Sequence, residues 1–78
     1  MREYVFTRVA STDGKVISAS SIHKEIHQEG VDISAVTVAT HTEPWVVFVR
    51  SDDSLPVQDI DKINQIVQSI DTVNPDRS

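Results

Sequence analysis

Two histidines have the residue type and spacing closest to usable chemistry in this 78-residue chain: His23 and His27, four positions apart with Glu25 between them. On a helix that spacing puts both imidazoles on one face, where they can share a metal ion. The run His23-Lys-Glu-Ile-His27 lacks the glutamate directly after the first histidine that a zinc-protease helix uses. A third ligand would have to come from His41 or from an acid. The plainer reading makes His23 and His27 rim residues beside an apolar stripe of Ile22 and Ile26. No metal and no other cofactor is expected; His23, His27 and His41 are the side chains that would hold an ion.

Nucleophilic and acid–base chemistry find less support. Ser18, Ser20 and Ser21 cluster where helix capping explains them. Gly14 and Gly30 are accounted for by a turn and a helix cap, which leaves no glycine-rich phosphate loop. The paired carboxylates are Asp52-Asp53 and Asp59/Asp61, and residues two apart on a helix do not face one another. The chain is not expected to be an enzyme.

Composition narrows the classes further. A chain of this length makes one domain and buries only about 60% of the surface its unfolded form exposes. Without cysteine, neither a disulfide nor a thiolate metal site supplements the core. Tight packing or association with further copies is left to stabilise it. The net charge of −5 argues against binding a nucleic-acid backbone or an anionic membrane. Acids crowd the C-terminal part: Asp52, Asp53, Asp59, Asp61, Asp71 and Asp76 follow Ser51, against Lys62 and Arg77. Most of that reads as the solvated face and first turn of a helix. A charged N-terminus offers no apolar signal core, and no run approaches the ~18 apolar residues of a membrane span. The expectation is a protein made in a bacterial cytoplasm, without a secretory signal.

The elements that would position these groups follow from period and punctuation. Tyr4 to Ala10 reads as a strand with Tyr4, Phe6 and Arg8 on one face and Val5, Thr7 and Val9 on the other. Asp13-Gly14 marks a tight turn with positive φ, after which Val16-Ile17 is a candidate short second strand. A short helix runs from the Ser18–Ser21 caps through Glu29 and closes on Gly30. Val31–Thr40 and Trp45–Val49 form a hairpin across Thr42-Glu43-Pro44. A final amphipathic helix buries Leu55, Ile60, Ile63, Ile66, Val67 and Ile70, with Pro56 at its first position and Asp53 or Ser54 as cap. The fold class is α+β. It is a β(β)-α-β-β-α domain over residues 1–78 whose mostly antiparallel sheet of three or four strands carries two helices on one face. Residues 73–78 are expected as a frayed tail.

The hairpin bears on function. Every position from Trp45 to Val49 is apolar, and both registers of Val31–Thr40 carry apolar side chains: Ile33 and Ala35, then Val36 and Val38. A sheet with one solvated face would alternate cleanly. Two short helices cover one face, so the other is open or meets another chain, and another chain is the favoured reading. The proposed interface residues are Tyr4, Phe6, Trp45, Val47 and Val49, with the inward or outward register left open. A slip of one residue exchanges the two sets.

The cadence Ile22-His-Lys-Glu-Ile26, then Val31-Asp-Ile33, an apolar hairpin, then Leu55-Pro-Val-Gln-Asp-Ile-Asp-Lys-Ile-Asn-Gln-Ile-Val67 resembles a small domain of many bacteriophage proteins. Those segments read as a Leu-x-x-Glu-Ile helix, a β-hairpin and a helix of form Leu-Thr-x-x-Glu-x-x-x-Leu-Asp-x-Ile-Val. Ile22, Glu25 and Ile26 fall on the first helix; Leu55, Asp59, Ile63, Asn64, Ile66 and Val67 fall on the second. Pro56 replaces the usual capping threonine, and the usual Ala-Ala-His ending is missing. The resemblance covers roughly the final two thirds of the chain. It implies a virion structural or accessory protein and carries over no catalytic residue.

The combined expectation is a bacteriophage protein that self-associates or docks on a capsid or tail lattice. Its partners would be itself and other virion proteins, with no nucleic acid and no membrane. The alternative is a small acidic inhibitor or regulator of a host or defence protein, resting on the carboxylates after Ser51.

Overall fold

β-Branched and aromatic residues dominate three stretches that form strands: β1 (Arg2–Arg8), β2 (Ala35–Ala39) and β3 (Trp45–Ser51). Helices α1 (Ala19–Gln28) and α2 (Val57–Ser69) complete the element order β1-α1-β2-β3-α2. The structure is a computed structural model and describes residues 2–74. One antiparallel sheet has the order β1-β3-β2, so the last strand in sequence is central. Both helices lie on one face of it, α1 against β2, α2 against β1, and each against the other. This is the α+β class expected, with a three-stranded sheet.

Register decides which residues meet the helices. Tyr4, Phe6 and Arg8 pair with Val49, Val47 and Trp45. On the other side Val36 and Val38 pair with Val49 and Val47. Phe6, Trp45, Val47 and Val49 are buried and join Ile22, Ile26, Ile63 and Val67 from the helices in one core. The stripes of Ile22/Ile26 and Ile63/Val67 recur at four-residue steps, the spacing that aligns a helix face.

Helix α1 ends by a Schellman closure. Gly30 takes φ +81°, its N–H donates to the His27 carbonyl at 3.0 Å, and the Val31 N–H donates to the Ile26 carbonyl at 3.2 Å. Val31 then packs into the core, as does Ile33. Here the chain departs from expectation: the strand starts at Ala35, and residues 31–34 form an approach to it with Val31 and Ile33 buried and Asp32 and Ser34 exposed. Ile33 is therefore buried while Ala35, two residues on, lies on the opposite side of the sheet.

One open point is settled and two further expectations are corrected. Val16-Ile17 adds no fourth strand. Val16 makes a single antiparallel bridge to Val73, with N–H···O distances of 2.9 and 2.6 Å in the two directions. The free side of β1 is partly occupied, because Gln68 Nε2 donates to the Thr7 carbonyl at 2.6 Å. Ile17, 3% exposed, turns inward to lead into α1. Val73 is thus pinned rather than frayed; the rest of the expected tail, residues 75–78, lies outside the described residues. Pro56 is the N-cap of α2 and not its first residue, since its ψ of 157° is extended. Neither Asp53 nor Ser54 caps that helix. The preceding loop is held instead by Tyr4, whose hydroxyl oxygen accepts the Leu55 N–H at 2.9 Å.

Arg8 has a role the alternation pattern concealed. Its Nη1 donates to the carbonyls of Val67 and Ile70 at 3.0 and 2.7 Å, at the C-terminal end of α2. Those carbonyls have no partner within the helix, and a cation there also meets the negative end of the dipole. Arg8→Met is expected to lower stability by about 1.5–3 kcal/mol, the size of hydrogen bonds to a charged group. A urea midpoint unchanged by that substitution would show that the carbonyls are equally well served by water.

Candidate functional site

The face of the sheet away from the helices is built by the alternate residues of the same strands. Three cross-strand rows follow from the pairing: Glu3, Arg50 and Ala35; Val5, Phe48 and Thr37; Thr7, Val46 and Ala39. Val5 is 57% exposed, while Val46 and Phe48 are half-buried with no helix above them. Phe48 occupies the middle row of the central strand, with Val5 on one side and Thr37 on the other. At the end row Arg50 Nε donates to Glu3 Oε2 at 3.1 Å. Both side chains are about half exposed, so this ion pair adds little to stability. Its consequence is electrical: the face carries both signs of charge and no net charge.

The register left open by the sequence is now fixed. Tyr4, Phe6, Trp45, Val47 and Val49, proposed as interface residues, all belong to the helix-covered face. Trp45 is 3% exposed and Val47 and Val49 are fully buried. Phe6 is buried with them, and Tyr4 is half-buried at the edge of the same core. The surface available for association is the complementary set: Val5, Val46 and Phe48, bordered by Thr7, Thr37 and the Glu3–Arg50 pair. The residues expected at the interface thus lie on the opposite face of the sheet from this set.

The histidines are only partly brought together. His23 and His27 face each other on α1 with Nε2 atoms 3.0 Å apart and rings stacked at a centroid distance of 4.8 Å. His41 sits in the turn between β2 and β3, beside Trp45 and the Gly14-Lys15 loop. Among the described residues no group of three or more histidine or acidic side chains is placed to hold a metal.

Two groups of acids have defined surroundings besides Glu3. Asp32, Asp52, Asp53 and Asp59 line an open cleft with Ser34, Ser51 and Leu55, at the end of the sheet where β3 leads to α2. Ser34 Oγ donates to Asp52 Oδ1 at 3.2 Å within it. Asp13 works in the turn before α1, where it accepts hydrogen bonds from the Ser11 hydroxyl and from the Lys15 N–H, the latter at 3.0 Å. The Ser11 hydrogen bond, helped by the Lys15 N–H, holds the Asp13 carboxyl below its ordinary range. That arrangement orients the loop around Gly14, whose φ of +81° matches the turn expected from Asp-Gly.

No helix among the described residues is long and apolar enough to cross a membrane. No protein-family model, curated protein or solved structure matches the chain.

Proposed function

We propose that this chain is a small non-catalytic structural or accessory protein of a bacteriophage particle. It acts by self-association through the open sheet face, and the resulting unit docks on a capsid or tail lattice. The observation that carries this reading is the face centred on Phe48: apolar at Val5, Val46 and Phe48, electrically neutral, and uncovered by the chain's own helices. The virion assignment is supported by the helix–hairpin–helix cadence of the sequence.

The occupant of the face is a second copy of the same chain. An acidic molecule of net charge −5 repels its own kind over most of its surface. On this face Glu3 is already matched by Arg50, so two copies meet there without a like-charge cost. Two seven-residue strands and one five-residue strand, about 4.8 Å apart and rising about 3.3 Å per residue, give a footprint of roughly 15 by 20 Å. With side-chain relief, two facing copies bury on the order of 1,000 Å², the lower bound for a specific interface. Stacking two sheets at about 10 Å through such faces is ordinary sandwich packing.

Sedimentation equilibrium at low and moderate salt tests this. A discrete dimer whose dissociation constant is insensitive to salt is expected. A monomer at high micromolar concentration refutes it. The acidic cleft of Asp32, Asp52, Asp53 and Asp59 supports the second reading, an inhibitor or regulator of a host or defence protein. Capture of a basic partner that fails between low and moderate salt, where screening shortens to ~10 Å, would favour that reading.

A further inference from the structure

We infer that His23 and His27 form a surface chelate for a divalent transition-metal ion of the copper and nickel class. The inference is independent of the association through the sheet. It starts from the helix. Ile22 and Ile26, each the residue just before one of the histidines, are fully buried. The Schellman closure at Gly30 fixes the turn that follows His27. The backbone carrying both rings is thus held in place before any ion arrives.

The two rings converge on one point. Their Nε2 atoms lie 3.0 Å apart, with planes inclined by 19°. Without an ion, one ring donates Nε2–H to the lone pair of the other, which requires opposite tautomers. Moving that proton, through solvent, to Nδ1 of its own ring leaves two neutral imidazoles, each with an Nε2 lone pair free in the same space. An ion bound at about 2.0–2.1 Å from each nitrogen subtends an angle of about 90–97° there. That is the bite of square-planar or octahedral coordination, whereas a tetrahedral ion prefers a wider spread. Imidazole donors at a right-angle bite select copper(II) and nickel(II) over zinc.

The chemistry of the site is binding. Two coordination positions are supplied by the chain, and His27 is exposed, so the remaining ones open to solvent. Water fills them in the isolated molecule, and a donor from another molecule replaces water where one is present. His41 belongs to the distant turn and takes no part.

Titration calorimetry with copper(II) chloride alone, in a non-coordinating buffer, tests the assignment on the whole chain. One ion per chain is expected. A second imidazole already in position acts at high effective concentration, so His23→Gln and His27→Gln are each expected to weaken binding by roughly tenfold or more. His41→Gln should leave it unchanged. Electron paramagnetic resonance should report two equivalent nitrogen donors, and nickel(II) should raise the melting temperature of the parent chain but not of either variant. Circular dichroism confirms that the variants fold. Binding that survives in the double variant, or losses shared equally among the three histidines, would overturn the proposal.

Discussion

Trp45→Ala is expected to leave the chain largely unfolded or close to its transition at room temperature. Trp45 sits at the start of the central strand, opposite Arg8, and is 3% exposed in the core. Removing a buried tryptophan side chain costs about 3–5 kcal/mol through lost transfer energy and the cavity left behind. Globular proteins hold roughly 0.05–0.15 kcal/mol per residue, or about 4–12 kcal/mol for a chain of this length. The substitution therefore removes a large share of the total. Urea unfolding followed by far-ultraviolet circular dichroism measures it. A midpoint shift worth less than about 1 kcal/mol would mean that Trp45 is not a core residue. The result also separates the two registers: an interface tryptophan would lose association and keep its fold.

Val5→Lys should do the opposite. Val5 is on the open face and exposed, so a lysine there touches no core side chain, and a change within about 0.5 kcal/mol is expected for the fold. In the proposed dimer it places a charge in the middle row, beside Phe48, where two copies face each other. Anchors at the centre of an interface cost about 2 kcal/mol or more when lost, which is roughly a 30-fold rise in dissociation constant. Sedimentation of the variant, at concentrations where the parent is dimeric, reads this directly. A Val5→Lys dimer as tight as the parent's would remove the sheet face from consideration.

Much of the architecture was legible because local chemistry and packing agreed. Gly14, following Asp13, and Gly30 both take the positive φ that their neighbours suggested. Ile22/Ile26 and Ile63/Val67 are the buried stripes that their spacing demanded. The hairpin of β2 and β3 forms where two β-branched runs flank a short turn. Register was harder, because Trp45–Val49 is apolar throughout and gives no alternation to read. The deciding signal lay in polar residues beyond that run. Arg50 shares a register with Val46 and Phe48, Glu3 and Thr7 share one with Val5, and Thr37 sits between Ala35 and Ala39. All of them mark the outward side. Arg8 pointed the other way, since it stands in the inward register, but its guanidinium is spent on the end of α2. That contact joins residues about sixty positions apart, and no local pattern announces it. The meeting of His23 with His27 was legible from spacing, and the isolation of His41 required the fold.

The strand order β1-β3-β2 has a kinetic side. The β2–β3 pairing closes across a short turn, at little cost in loop entropy. Bringing β1 onto β3 instead joins Arg8 to Trp45 and must close everything between them, including α1. The closure entropy of that long loop is unfavourable until the core contacts of Phe6 repay it. The hairpin and its helices are therefore expected to gather first and β1 to be laid on last, as an edge strand beside α2. Amide exchange in the native state should follow the reverse order, with β1 opening at the lowest free energy and β3 at the highest.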